Sequence, residues 1–266
     1  MPRRDLRRIA ATVAAASIAL ILAGCAGAGA QPSPSSSAPA DALSGSLTVF
    51  AAASLKSSFD AAVAEFVKEH PKVTVEPANY DGSSTLATQI IGGAEVDVFA
   101  SADEANMKKV TDGGLAVDPT DFATNTLVIA VPKDNPAKIS GLADLGKGGV
   151  KVVLCAPEVP CGAAAKTLLA NEGVTVTPAS LEQNVTAVLT KVRNGEADAG
   201  LVYRTDVKGD DQVDSIVPAG ADKVVNTYPI VALKAAPDAA VARAFVDFIV
   251  GAKGQDILAS FGFGAP

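Results

Sequence analysis

The chain has 266 residues, with 22 Lys and Arg against 29 Asp and Glu, a net charge of −7. That acidity argues against nucleic acid and against an anionic membrane surface as partners, and a single histidine leaves almost no scope for histidine-based catalysis. The length suffices for one large domain or two modest ones with real cores.

Residues 1–24 read as a secretory signal. Arg3, Arg4, Arg7 and Arg8 precede an apolar run from Ile9 to Leu22, and small residues follow before a cut. The run is too short for a membrane-spanning helix, which needs about 20 apolar residues. Cys25, directly after Leu22-Ala-Gly24, resembles the lipobox cysteine of bacterial lipoproteins, which carries lipid at the mature N-terminus. Residues 25–45 are rich in Ala, Ser, Pro and Gly, cannot bury enough apolar surface to order themselves, and read as a tether. The expected location is therefore the outer face of the cytoplasmic membrane, with contact to the membrane through the lipid only. Residues 1–24 hold four Arg and one Asp, a net +3, so the remainder carries −10. An anion bound by such a chain is held by local dipoles, not by its overall field.

In the folded part, Thr48 to Phe50 read as a central strand that runs through three alanines to Ser54. From there Leu55, Phe59, Ala62, Val63, Phe66 and Val67 recur at helical spacing until Pro71, which places Ser54 at the helix N-cap. Val73 to Glu76 is a second strand, and Asn79 to Thr85 a turn. A helix through Leu86, Ile90 and Ile91 follows, with Ser83 and Ser84 at its start. Val96 to Ala100 is a strand leading to a helix that ends at Gly113-Gly114. This βαβαβα order implies a parallel sheet wrapped by helices. Asp97 and Asp103, without histidine partners, read as hydrogen-bonding groups at the sheet end rather than as metal ligands.

Thr126 to Val131 is the next strand, Lys133 to Gly149 a loop, and Lys151 to Leu154 a strand entering a cysteine-bounded loop. Cys155 and Cys161 are close together in an exported chain, so they read as a disulfide, worth about 2–2.5 kcal/mol at most by loop closure. Cys161 stands at the start of a helix through Leu169. Asn184 caps another, with Val185 in its first turn, and Ala199 to Tyr203 is a buried strand whose last residue is a tyrosine. Strands at Ser215 to Pro218 and Tyr228 to Leu233 and an amphipathic helix from Pro237 to Val250 complete the chain. Two α/β units with two crossings, near Thr126 and Tyr228, suggest lobes that close on a ligand like a clamshell. Lobe 1 spans 46–125 and 228–266, and lobe 2 spans 126–227. Ser54, Ser83, Cys161, Val185 and Tyr203 all fall at carboxyl ends of strands or at the helix starts that follow, where ligands of open α/β sheets lie and where free N–H groups suit an anion.

Several stretches together resemble the periplasmic molybdate-binding proteins of ABC transporters, a branch of the type II solute-binding fold: Thr48-Val-Phe-Ala-Ala-Ala-Ser-Leu55, Gly82-Ser-Ser-Thr-Leu-Ala87, Ala94-Glu-Val-Asp-Val-Phe-Ala-Ser-Ala-Asp103, Val159-Pro-Cys-Gly162, Gly200-Leu-Val-Tyr203 and Tyr228-Pro. The resemblance covers nearly the whole chain beyond the tether. It implies a two-lobed fold, each lobe a mixed, mostly parallel sheet flanked by helices, with the ligand in the cleft between them. It also implies a ligand set: the hydroxyls of Ser54 and Ser83, the backbone N–H groups of Cys161 and Val185, and the Tyr203 hydroxyl. Gly82 stands where many relatives have a further serine, which leaves Ser84 as an alternative to Ser83. The implied ligand is molybdate or tungstate, held without any cofactor or bound cation. The implied partners are a membrane permease and its ATPase, with the binding protein itself a monomer. Sulfate or phosphate as ligand, a surface lipoprotein that binds another protein, and an enzyme with Ser54 as nucleophile are the competing readings. The last lacks a Gly-x-Ser-x-Gly turn and a histidine base.

Overall fold

The computed structural model describes residues 43–266, so the signal segment, Cys25 and the tether up to residue 42 lie outside the described residues. Ser44 and Gly45, expected in the tether, instead open the first strand, β1 (Ser44–Leu47). It pairs in parallel with β3 (Lys72–Val75) as a separate two-stranded sheet. The long sheet starts with β2 (Val49–Ala52), which is followed by a 3-10 turn at Ala53–Leu55 and by α1 (Lys56–Glu69). Helix α1 forms because Phe59, Ala62 and Phe66 repeat at three- and four-residue spacing, and these are its buried apolar side chains.

The first half of the sheet runs β4 (Asn79–Asp81), β2, β5 (Val98–Ala100), β11 (Val225–Ala232), β6 (Thr120–Pro132). Strands β4, β2 and β5 are parallel, whereas β11 runs antiparallel to both its neighbours. Two expectations are corrected here. Asn79 to Asp81 is not a turn but an edge strand, paired with Phe50 to Ala52. The strand at Val73 leaves the long sheet altogether, because it pairs with Ser44 to Leu47. Helices α2 (Ser83–Ile91) and α3 (Glu104–Asp112) cover one face. The other face carries α1, α7 (Ala239–Val250) and α8 (Ala252–Ser260). Strand β5 shows why both faces are apolar: Val98 and Ala100 enter one core with Phe59, Phe66 and Phe245, while Phe99 enters the other with Leu86, Met107 and Val110.

Strand β6 carries the chain into the second half. It begins at Thr120, six residues earlier than its apolar run suggests, because its polar first part is a sheet partner of β11. Its latter part pairs with β9 (Ala199–Tyr203) and β10 (Val213–Ile216), and the order continues β9, β7 (Val152–Cys155), β8 (Ser180–Glu182). Strand β8 and the short helix α4 (Leu142–Leu145), the latter inside the expected loop, were not anticipated from residue pattern. Helices α5 (Pro160–Asn171) and α6 (Val185–Arg193) pack here on a core of their own, built on Leu127, Ile129, Leu168, Val188 and Leu201. Separate cores on the two halves, joined through β6, make a two-lobed α/β architecture. Among the described residues no helix is long and apolar enough to cross a membrane.

Candidate functional site

A small cavity between the two halves is lined by Ser54, Ser83, Cys161, Val185 and Tyr203 together with Asp81, Gly82 and apolar neighbours. The space there open to a water-sized sphere is only about 10 Å³, so the two halves stand close together over it. All five residues singled out from the sequence therefore line the same space, although they span 150 positions of the chain. Ser83 is among them and Ser84 is not. The Ser84 hydroxyl is buried elsewhere, without a hydrogen-bond partner among the described residues.

Each residue arrives by a local device. Ser54 lies inside the 3-10 turn and not at a helix cap, so that expectation is corrected. The position before α1 is Leu55, which makes no side-chain cap. The Ser54 hydroxyl is instead 3.0 Å from the hydroxyl of Tyr228. Ser83 is the first residue of α2, and its Oγ accepts the backbone N–H of Ala102 at 2.9 Å. Cys161 is the second residue of α5 and Val185 the first of α6. At those positions a backbone N–H has no acceptor within its own helix. Asn184 caps α6 through its side-chain oxygen, which accepts from Ala187 N–H at 2.9 Å. Tyr203 ends β9, fully buried, and its hydroxyl has no hydrogen-bond partner among the described residues.

The disulfide between Cys155 and Cys161 is formed, tying the end of β7 to the first turn of α5 with 5.7 Å between Cα atoms. It engages the Cys161 side chain, while the Cys161 N–H, in the first turn of α5, has no acceptor within its own helix. Beneath that turn Gly162 is obligatory, since a Cβ there would stand 1.9 Å from the Ala156 carbonyl oxygen.

Three helices, α2, α5 and α6, thus direct their N-termini at one point, each carrying a partial positive charge of about half a unit. Among the described residues no lysine, arginine or histidine lines the cavity, and Asp81 is the one charged residue there. The Asp81 carboxylate faces donors, accepting Gly82 N–H at 2.7 Å and the Asn184 side-chain amide at 2.8 Å, the latter from the opposite half of the sheet. Burial holds the Tyr203 and Tyr228 phenols above their ordinary range, so both remain protonated and able to donate. Burial also pushes the Asp206 carboxyl up to about 7, against the lowering effect of the Tyr203 N–H it accepts. That bond measures 2.8 Å.

Asp97 accepts the N–H groups of Thr48 and Asp238, and Asp103 caps α3 through Asn106 N–H. Among the described residues no group of three or more His, Cys, Asp or Glu is placed to hold a metal ion. Sequence reasoning missed the parts played by Asp81, Ala102 and Asn125. Tyr228 entered only as part of a Tyr-Pro pair. Its position follows from a break in the β11–β6 register between Tyr228 and Pro229, where proline cannot donate to the ladder. With the Asp81 carboxylate already taken up by Gly82 N–H and Asn184, the groups left to face a ligand at these three helix N-termini are donors, which suits an anion that only accepts.

Residues 47–264 match the family model of bacterial extracellular solute-binding proteins. The chain is 46% identical over 223 residues to the molybdate-binding protein ModA of Mycobacterium tuberculosis (strain ATCC 25618 / H37Rv), covering 83% of this chain and 85% of that one. It is 32% identical over 233 residues to the molybdate-binding protein ModA of Escherichia coli (strain K12), covering 82% and 89%. Among solved structures, the periplasmic molybdate-binding protein of Azotobacter vinelandii superposes with a TM-score of 0.69 at 22% identity, covering 83% of this chain and 99% of that one.

Proposed function

The chain belongs to the bacterial extracellular solute-binding proteins, and from this premise we propose that it is the molybdate-capturing subunit of an ABC importer. Five donors hold the ion: the hydroxyls of Ser54, Ser83 and Tyr203, and the backbone N–H groups of Cys161 and Val185. The observation that carries this reading is that all five line one cavity which, among the described residues, has no side-chain cation and leaves the buried Tyr203 hydroxyl without a partner. Lobe 1 comprises 46–125 and 228–266, and lobe 2 comprises 126–227. The ion joins them, since Ser54 and Ser83 belong to the first and the other three donors to the second.

A dianion is tolerated without lysine or arginine because the donors are fixed in advance. Hydrogen bonds to a charged group run about twice as strong as neutral ones, and three helix termini add their dipoles. An oxyanion that must itself donate a proton, such as hydrogen phosphate, meets donor against donor. Tungstate, close to molybdate in size and equally free of protons, binds as well. Sulfate, with shorter bonds, does not reach the donors of both lobes at once. Ser54 is a binding group and not a nucleophile. Its oxygen is paired with a phenol held protonated by burial, which is no base. Cys25 carries the lipid that keeps the protein, a monomer, on the outer face of the cytoplasmic membrane beside the permease and its ATPase.

Calorimetric titration with molybdate, tungstate, sulfate and hydrogen phosphate tests the assignment. Tight binding of the first two and weak binding of the others is expected; equal affinity for molybdate and sulfate sinks the size argument, and no heat with molybdate sinks the function.

A further inference from the structure

The cavity's serines carry a constraint that their positions alone do not express. A hydroxyl has one proton to give and two lone pairs to offer, so its behaviour toward an anion depends on what already holds its oxygen. At Ser83 the matter is closed: Ala102 N–H donates to Oγ, and a backbone N–H cannot reverse its role. The Ser83 proton is then free for the cavity. At Ser54 the partner is a second hydroxyl, that of Tyr228, and the pair by itself permits either direction.

The residues behind Tyr228 remove the ambiguity. Thr126 N–H donates to Asn125 Oδ1 at 3.0 Å, which assigns the oxygen end of that side-chain amide. The NH2 end then donates to Thr205 Oγ1 at 2.8 Å and reaches the Tyr228 hydroxyl at 3.4 Å. Asn125 offers Tyr228 only a donor, so among the described residues Ser54 Oγ is the one acceptor within hydrogen-bond distance of the buried Tyr228 hydroxyl. The Tyr228 proton goes there, and the Ser54 proton turns to the cavity. Asn125 and Tyr228 are both fully buried, so water does not compete for these groups. The Tyr228 ring is fixed by edge-on packing against Phe122, Tyr203 and Phe263.

We propose that Asn125 and Tyr228 form a polarity relay, from the Asn125 amide through the Tyr228 hydroxyl to Ser54, that holds Ser54 as a donor and makes the pocket select fully deprotonated tetraoxyanions over those bearing a proton. This rests on the assignment of Ser54 as a ligand donor. Neither Asn125 nor Tyr228 touches the ion; both are positioning residues. Without the relay Ser54 can turn and accept a ligand O–H, so the signature of its loss is a change in selectivity and not only in affinity.

The test is calorimetric titration of the wild type, Tyr228→Phe, Ser54→Ala and the double variant with molybdate and with monohydrogen phosphate. Phenylalanine keeps the ring packing and removes only the hydroxyl. The expected result for Tyr228→Phe is a loss of molybdate affinity of about three- to tenfold, the range of one neutral hydrogen bond, with a smaller preference for molybdate over hydrogen phosphate. The double variant should bind molybdate no more weakly than Ser54→Ala alone, since the relay acts only through that serine. Asn125→Leu, which removes the amide while leaving Tyr228, should narrow the preference in the same direction and serves if Tyr228→Phe does not fold. Unchanged affinity and preference in the folded variants, or losses that add in the double variant, overturn the relay. Failure of the wild type to bind molybdate would instead strike at the function itself.

Discussion

Gly82 offers the sharpest separation between folding and ligand capture. Its backbone, at φ −60° and ψ 134°, is open to any residue, so Gly82→Ala introduces no local strain. A Cβ at that position would, however, stand 2.1 Å from the carbonyl oxygen of Gln183, which belongs to the opposite lobe, whereas real Cβ atoms do not approach within about 3.0 Å. The two segments must therefore part by about 0.9 Å. Donors set ~2.8 Å from an ion bridging the lobes would then stand ~3.7 Å away on one side, beyond the ~3.2 Å reach of a good hydrogen bond. Loss of even one hydrogen bond to a charged group removes about 1.5–3 kcal/mol, or about 10- to 150-fold in Kd. Thermal melts without ligand separate this loss from a loss of fold, since the backbone conformation at Gly82 is itself open to alanine. Calorimetric titration with molybdate, beside thermal melts without it, reads both effects. Gly141→Ala is the control, since a Cβ there meets nothing within 4 Å. A Gly82→Ala protein that binds molybdate like the wild type would refute the contact between Gly82 and Gln183 as part of the ligand-holding state.

Tyr203→Phe should weaken molybdate binding by about 1.5–3 kcal/mol, as expected for a lost hydrogen bond to a charged group; an unchanged dissociation constant removes Tyr203 from the site. Replacing Cys155 and Cys161 together by serine should lower stability by about 2–2.5 kcal/mol through loop closure, a fall of about 4–10 °C in Tm for a domain of this size; an unaltered melt would show that the loop is held without the disulfide. Asp206 should impose a pH dependence on stability. Its folded pKa of about 7 exceeds the ordinary ~3.9, so the folded state binds the proton more tightly. Stability from this group is greatest at acid pH and falls as pH rises from about 4 through about 7. Denaturant titrations across that window should show the decline in the wild type and its absence in Asp206→Asn. An identical slope in both proteins refutes the assignment. The carboxylates of Asp210, where burial is outweighed by the Arg193 guanidinium and the Gln212 N–H, and of Asp214, lowered by Lys133, act in the opposite sense and at lower pH.

Much of the architecture was legible from residue order. The helix at Phe59, Ala62 and Phe66, the buried strands at Val98 to Ala100 and Ala199 to Tyr203, and the Asn184 cap each depend on spacing over a few residues, which is where local pattern is informative. The elements that escaped notice are those whose identity depends on a distant partner. Asn79 to Asp81 is polar and turn-like in composition, and is a strand only because Phe50 to Ala52 lies beside it. The first six residues of β6 carry no apolar run, and are held extended by β11 from a hundred positions away.

The same division holds for the cavity around Ser54. By itself the sequence placed small residues, serines, a capped helix and a tyrosine at strand ends and helix starts, because dihedral preference and hydrophobic period act locally. Only the tertiary structure decided that Ser54 meets Tyr228 rather than capping α1, that Ser83 and not Ser84 lines the cavity, and that Asp81 reaches Asn184 across the lobes. Those contacts join residues up to 174 positions apart. They arise from strand register, from the break at Tyr228-Pro229 and from the angle between two separately packed halves of the sheet, none of which is encoded in any short stretch of the chain.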